Sequence, residues 1–246
     1  MTQQRLVGRS VLITGGGSGI GRAAAKACLE EGAAVVIAGR REARLQETAR
    51  ELGNPDRLAF RACDVSDPEQ VSQLVAWASQ RMGRIDILVN NAGMNIKRRA
   101  VRELTPESWR QIMEANLDGA FYCIQAVLPQ MLERRDGLII NISSTAGKRA
   151  NPLGGGAYCA AKAGMAFLSH TLGIEEKDTG IRCTVIFPGE VDTPILENRP
   201  QPITEEHRRR ILQPEDVASA VLFVATLPAR ASVPELIIKP TTQPYG

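Results

Sequence analysis

The sequence predicts an α/β fold, a single doubly wound parallel sheet of about seven strands with helices on both faces. Three observations lead there. Short apolar runs alternate with segments of helical spacing along the whole chain. The apolar runs are nearly continuous, as expected for strands covered on both faces. No shift in composition divides the 246 residues, so 1–246 reads as one domain, long enough to bury a sizeable core.

Val11-Leu12-Ile13 is the first strand, ended by Thr14 and a run of glycines, and the helix that follows from Ile20 stops at Gly32. A second apolar strand covers 34–38. The helix over 42–52 places Leu45, Ala49 and Leu52 on one face and breaks at Gly53-Asn54-Pro55. A strand over 58–63 leads to Asp67-Pro68-Glu69, a capped helix start, with Val71, Leu74, Val75 and Ala78 on the buried face. The fourth strand is 87–89. Thr105-Pro106-Glu107 opens a long helix carrying Ile112, Asn116 and Phe121, expected to reach Leu128, where Pro129 disturbs it. A strand over 138–142 precedes the helix of Tyr158 and Lys162, which runs to about Glu176. The sixth strand, 183–187, is followed by an irregular Pro-rich segment, a helix over 214–225 and a last strand over 236–238. In such a sheet the ligand sits beyond the carboxyl ends of the strands where their order reverses, so the segments after strands one, four, five and six are expected to converge.

Composition excludes several classes. A net charge of +3 is too small to imply nucleic acid. No run of 18 apolar residues and no charged-then-apolar leader is present, so a cytoplasmic protein without a membrane partner is expected. Cys28, Cys63, Cys123, Cys159 and Cys183 are scattered without a CxxC pattern and read as buried thiols, and no metal is expected. His170 and His207 read as structural or surface residues.

The chemistry is concentrated in a few places. Gly15-Gly16-Gly17-Ser18-Gly19-Ile20-Gly21 joins the first strand to the first helix. Glycines there allow a sharp turn, and the helix N-terminus offers free N–H groups to a pyrophosphate. After the second strand, where an NAD-binding fold usually places an acid against the ribose 2′-hydroxyl, the chain reads Ala38-Gly39-Arg40-Arg41. Guanidiniums without a carboxylate favour a 2′-phosphate, so NADP(H) is expected over NAD(H). Arg22 and Arg41 are further candidates for that phosphate, with a solvated surface cluster as the alternative. Tyr158 and Lys162 lie four residues apart on one side of a helix, a spacing at which a cation can tune a phenol for proton transfer.

With these segments laid out, the chain resembles the short-chain dehydrogenase/reductase family over almost its full length. The resemblance rests on Thr14-Gly15 with Gly19-Ile20-Gly21, Asn90-Asn91-Ala92-Gly93, Asn116, Ser144, Tyr158 with Lys162, and Pro188-Gly189 with Val191 and Thr193, all in the family's order. It implies a Rossmann-like fold and a catalytic set of Asn116, Ser144, Tyr158 and Lys162. It also implies cofactor contacts from Gly15, Gly17, Ser18, Gly19 and Ile20, from Arg40, from Asp64 and Val65 at the adenine, from Asn91, Ala92 and Gly93, and from Tyr158 and Lys162. Pro188, Gly189, Val191 and Thr193 complete that set toward the nicotinamide. Ser144 is then expected to polarise a substrate carbonyl and Tyr158 to exchange the proton. Lys162 is expected to lower the phenol pKa and bind ribose, and Asn116 to hold a water linking Lys162 to solvent.

Ser144 is chosen because the family places its serine second in such a pair; Ser143 and Thr145 are the alternatives. Gly154-Gly155-Gly156 makes the stretch from Ser144 to Tyr158 one residue longer than usual. The ending over 236–243 lacks the frequent Asp-Gly-Gly and, with Ala225-Thr226-Leu227-Pro228, resembles a branch of NADP-dependent hydroxy-acid and serine dehydrogenases. The expected substrate lid, about 194–213, is short and polar, which suits a small substrate. Lys97, Arg98 and Arg99 follow the Asn-Ala-Gly loop and read as a solvated basic face, with attraction of an anionic substrate as the alternative. The expected function is hydride transfer between NADP(H) and a small carbonyl or secondary alcohol, in a homodimer or homotetramer. A dinucleotide-binding protein without turnover is the competing reading.

Overall fold

The computed structural model describes residues 4–244. Seven strands form one wholly parallel sheet: β1 (Ser10–Thr14), β2 (Ala34–Gly39), β3 (Leu58–Ala62), β4 (Ile87–Asn90), β5 (Gly137–Ile142), β6 (Ile181–Pro188) and β7 (Glu235–Ile238). Their order is β3-β2-β1-β4-β5-β6-β7, which reverses between β1 and β4. The main helices are α1 (Gly19–Glu30), α2 (Glu42–Glu51), α3 (Pro68–Met82), α4 (Pro106–Met113), α5 (Gly119–Arg134), α6 (Gly156–Glu175), α7 (Glu205–Arg208) and α8 (Pro214–Ala225).

The near-continuous apolar strands supply both faces of the sheet because side chains alternate along a strand. Val11, Ile13, Val35, Ile37, Val89 and Ile140 turn to one side and pack under α1 and α8. Leu12, Val36, Leu88 and Ile139 turn to the other and meet α3 and α5. Each starting signal read from the sequence has its local cause. Asp67 accepts hydrogen bonds from the N–H groups of Glu69 and Gln70, and Thr105 caps α4 through the Ser108 N–H.

The long helix expected to falter at Pro129 behaves differently. It is divided earlier, by a π-turn over Glu114–Asp118, and α5 then runs through Pro129 to Arg134. Pro129 and Gln125, whose carbonyl loses its N–H partner, both lie on the exposed side, so the interruption falls where water is available. The helix ends instead at Arg135, in a left-handed conformation with φ 55°.

Polar groups join the sheet to α6 just below its carboxyl edge. The Asn90 amide donates to Asn141 Oδ1 at 2.9 Å, the Asn141 amide donates to Ser169 Oγ at 2.7 Å, and all three residues are buried. Asn141→Ala deprives the Asn90 amide of its nearest acceptor and Ser169 of its donor. We expect a loss of about 2–3 kcal/mol in unfolding free energy by urea titration. An unchanged urea midpoint would show that the network contributes nothing.

Candidate active site

The reversal of strand order opens a crevice above β1 and β4, and side chains close the seam beneath it. Thr14 Oγ1, at the end of β1, accepts from the N–H groups of Asn91 and Ala92 at 3.1 and 3.0 Å. In return the Asn91 amide donates to the carbonyls of Thr14 and Gly15 at 3.0 and 3.3 Å. Gly15 adopts φ +69°, and a β-carbon there would lie 2.8 Å from the Asn91 amide nitrogen, so only glycine fits this turn. The chain then enters α1 at Ser18, which makes no side-chain cap, and the first turn of α1 carries no acid. The N–H groups of α1 therefore open toward the crevice, as an anion site requires.

Asn116 owes its position to the π-turn. It is fully buried, and its Oδ1 accepts from the Met94 N–H while its Nδ2 donates to the carbonyls of Met94 and Ile112. These bonds hold the loop after β4 against α4. A β-carbon at Gly93 would lie 2.6 Å from Asn116 Oδ1 and 3.5 Å from Lys162 Nζ, so both polar groups border the space that this glycine leaves open.

Lys162 is 3% exposed, and its Nζ donates to the Ile142 carbonyl at 2.8 Å. No carboxylate among the described residues pairs with it, and burial lowers its pKa to about 8. One helical turn earlier, Tyr158 presents the face of its ring 5.8 Å from that nitrogen. Burial of the hydroxyl pushes the phenol up to about 12, while Ser144 and Arg99 act in the opposite direction. Lys162, the cation expected to tune the phenol, makes no hydrogen bond to it. Its Nζ is directed to the backbone of β5 instead.

A single cleft of about 790 Å³ collects these groups. Its wall includes Asn116, Ser144, Tyr158 and Lys162. It also includes Gly15, Gly17, Ser18, Gly19, Ile20, Arg40, Asp64, Val65, Asn91, Ala92, Gly93, Pro188, Gly189, Val191 and Thr193. Ser143 also reaches the wall, but its hydroxyl is engaged elsewhere: the residue is buried, and its Oγ donates to the Lys162 carbonyl at 2.8 Å, whereas Ser144 stands beside Tyr158. The extra residue before Tyr158 is taken up in a turn in which Gly154 and Gly155 donate to the Asn151 carbonyl.

For two arginines the structure favours the alternative reading. Arg22 turns away from the cleft and pairs with Glu51 of α2 at 2.5 Å. Arg99 is not part of a solvated basic face: it is 6% exposed and lines the cleft. Arg199, from the segment expected as a lid, also reaches the wall, as do Glu190 and Gln243, which no local motif marks. Glu190 pairs with Arg199 at 2.6 Å and with His207 at 2.5 Å, and Gln243 accepts from the Glu190 N–H at 3.2 Å.

A parallel sheet with its cleft at the switch point, opened by a glycine turn into an uncapped helix, defines a nucleotide-binding α/β protein. Comparison with known proteins narrows this. The profile of the short chain dehydrogenase family matches residues 9–203. An uncharacterized oxidoreductase of Staphylococcus aureus is 35% identical over 235 residues, 96% of this chain and 98% of the relative. The closed form of a serine dehydrogenase complexed with NADP+ is similar with a TM-score of 0.86 at 34% identity, covering 96% of each chain. A 3-ketoacyl-(acyl-carrier-protein) reductase from Brucella melitensis complexed with NADH is similar with a TM-score of 0.86 at 30% identity, over 95% of this chain and 97% of the other. The chain belongs to the short-chain dehydrogenase/reductase family of oxidoreductases. Among the described residues no helix is long and apolar enough to cross a membrane.

The buried lysine has a measurable signature. Its folded-state pKa, about 8, lies below the 10.5 of the unfolded chain, so the unfolded state binds more protons between these values. The wild type therefore gains stability relative to Lys162→Met as pH rises through that window. Melting temperatures of the two proteins, compared from about pH 7.5 to about pH 10, are expected to shift in favour of the wild type. A pH-independent difference would show that burial does not lower the Lys162 pKa.

Proposed function

We propose that this protein is an NADP(H)-dependent oxidoreductase that interconverts a small carbonyl compound and its secondary alcohol, with Tyr158 exchanging the proton. The observation that carries the reading is the grouping of Tyr158 and Ser144 on one wall of the cleft, with Lys162 buried a helical turn behind the phenol. A bound nicotinamide supplies the hydride. The protein's own groups deal with the oxygen. Ser144 donates a hydrogen bond to it and stabilises negative charge as the carbonyl is reduced. The Tyr158 phenol, kept neutral by burial, retains the proton that the oxygen needs. Asn116 and Lys162 border one space beside Gly93, an arrangement that suits a proton path from the interior to solvent.

The residues fit the cofactor. The glycine turn and the open N-terminus of α1 suit a pyrophosphate. Similar folds are found with NADP+ and with NADH, so the fold alone does not choose between them. The choice is assigned to Arg40 and Arg41, which line the cleft at the end of β2. Both are exposed, and neither forms an ion pair among the described residues, so they are free to take a 2′-phosphate. Arg44 lines the same rim but is engaged with Glu47 at 2.7 Å.

Two variants test this reading. Tyr158→Phe keeps the ring and removes the proton, and carbonyl reduction is expected to fall by about 10²–10⁴-fold with the circular dichroism spectrum intact. Near-normal turnover would remove Tyr158 from its role. Binding of NADPH without reduction of any ketone, keto acid or sugar in a panel would mark a binding protein instead. Arg40→Asp is expected to weaken NADPH about 10–100-fold relative to NADH in calorimetric titration, the range of a lost charge-assisted contact. A wild type that binds NADH as tightly as NADPH would refute the cofactor assignment.

A further inference from the structure

Arg99 is a buried cation in the cleft wall with no counter-ion. Its Nε donates to the Ile96 carbonyl at 2.6 Å, its Nη1 to the Leu153 carbonyl at 3.0 Å and its Nη2 to the Asn198 carbonyl. These carbonyls belong to three separate segments of the wall: the loop after β4, the turn before α6 and the segment after β6. They fix the plane of the guanidinium and engage three of its five N–H groups, leaving one on each terminal nitrogen. Backbone carbonyls carry no net charge, so the cation itself is uncompensated.

None of the acids of the wall pairs with Arg99. Glu190 is paired with Arg199, Asp64 accepts from Ser66, and Glu197 and Glu114 form no ion pair with Arg99. Arg199 adds a second guanidinium close enough to disfavour the charge on Arg99, and burial disfavours it further. A charged arginine kept in such a place carries an uncompensated desolvation cost unless an anion joins it. Arg99 packs against Gly155, where an added β-carbon would lie 2.5 Å from the Arg99 carbonyl oxygen and 2.7 Å from the Arg99 β-carbon, and Gly155 opens the helix that carries Tyr158, so Arg99 stands at the Tyr158 end of the cleft, away from Arg40 at the end of β2.

We propose that Arg99 is the substrate-anchoring residue of this site and that the substrate is a small hydroxy acid or its keto acid, held by its carboxylate on the two free N–H groups of Arg99. This rests on the oxidoreductase reading above and deepens it by naming the substrate class. A planar fork matches a carboxylate, and an acid anchored there leaves its carbinol carbon for Ser144 and Tyr158. Neutral alcohols of the same size lack the anion and bind weakly.

The test compares racemic 2-hydroxybutyrate and 3-hydroxybutyrate with their methyl esters, using NADP+ and the full-length protein. In the wild type, at least one acid is expected to exceed its ester by about 30-fold or more in kcat/KM, mainly through KM, the size of a charge-assisted contact. Arg99→Met is expected to collapse the acid-to-ester ratio to within about threefold, and Arg99→Lys, which keeps charge but not the fork, to leave it intermediate. Esters used as well as acids by the wild type would overturn the proposal even if Arg99→Met does not fold. So would an unaltered ratio in Arg99→Met with both rates lowered together, since that is the result of a purely structural strap. Reduction of neutral ketones with no use of either acid would overturn the substrate class and leave the oxidoreductase reading standing. NADPH binding with no turnover of any compound would overturn both.

Discussion

The seam between β1 and β4 is the constraint on which the site depends. The crossovers that follow the parallel neighbours β1 and β4 run to opposite sides and leave the carboxyl edge between them uncovered, so the exposed backbone there must be satisfied in another way. Thr14 and Asn91 do this with side chains: one hydroxyl accepts two N–H groups of the β4 loop, and one amide donates to two carbonyls of the β1 turn. The crevice can stay open because its floor is already hydrogen-bonded. The glycine turn follows from the same contact, since the amide of Asn91 occupies the space of a side chain at Gly15.

From that floor the cleft is graded in charge. Its middle holds groups that burial drives toward neutrality, with the Tyr158 phenol raised and the Lys162 ammonium lowered. Its two ends carry guanidiniums in different settings. Arg40 and Arg41 stand in solvent at the end of β2, with no ion pair among the described residues. Arg99 is fixed by three carbonyls and dehydrated, where a small anion gains most from meeting it. The polarity of the cleft is thus set by depth as much as by sequence.

Depth is also what divides the legible from the illegible. The glycine turn, the caps at Asp67 and Thr105 and the Tyr158–Lys162 spacing act within a few residues, and their patterns survive in the linear sequence. The apolar strands were equally plain because both faces of the sheet are covered. The π-turn at Asn116 was not, because the groups that stabilise it include Met94, 22 positions away. Nor was the path of α5 through Pro129, which depends on which side of the helix meets solvent. Arg99 could be misread as one of three surface cations because the acceptors that bury it lie 54 and 99 positions further on. Arg22 was diverted in the same way, by Glu51 on a neighbouring helix.

The end of β5 shows how neighbouring residues acquire opposite tasks. Side chains alternate at this point, so the Ser143 hydroxyl turns to α6 and Ser144 to Tyr158. Ser143 donates to the Lys162 carbonyl, and Lys162 in turn donates from Nζ to the Ile142 carbonyl. The strand and α6 are therefore joined by reciprocal bonds across the same three residues. A rotation of α6 that moved Tyr158 away from Ser144 would break both bonds in a buried place, leaving polar groups unpaired at a cost of about 1–3 kcal/mol each. The serine whose hydroxyl is tied to α6 thus fixes the distance between Ser144 and Tyr158, and the scaffold holds that spacing by itself.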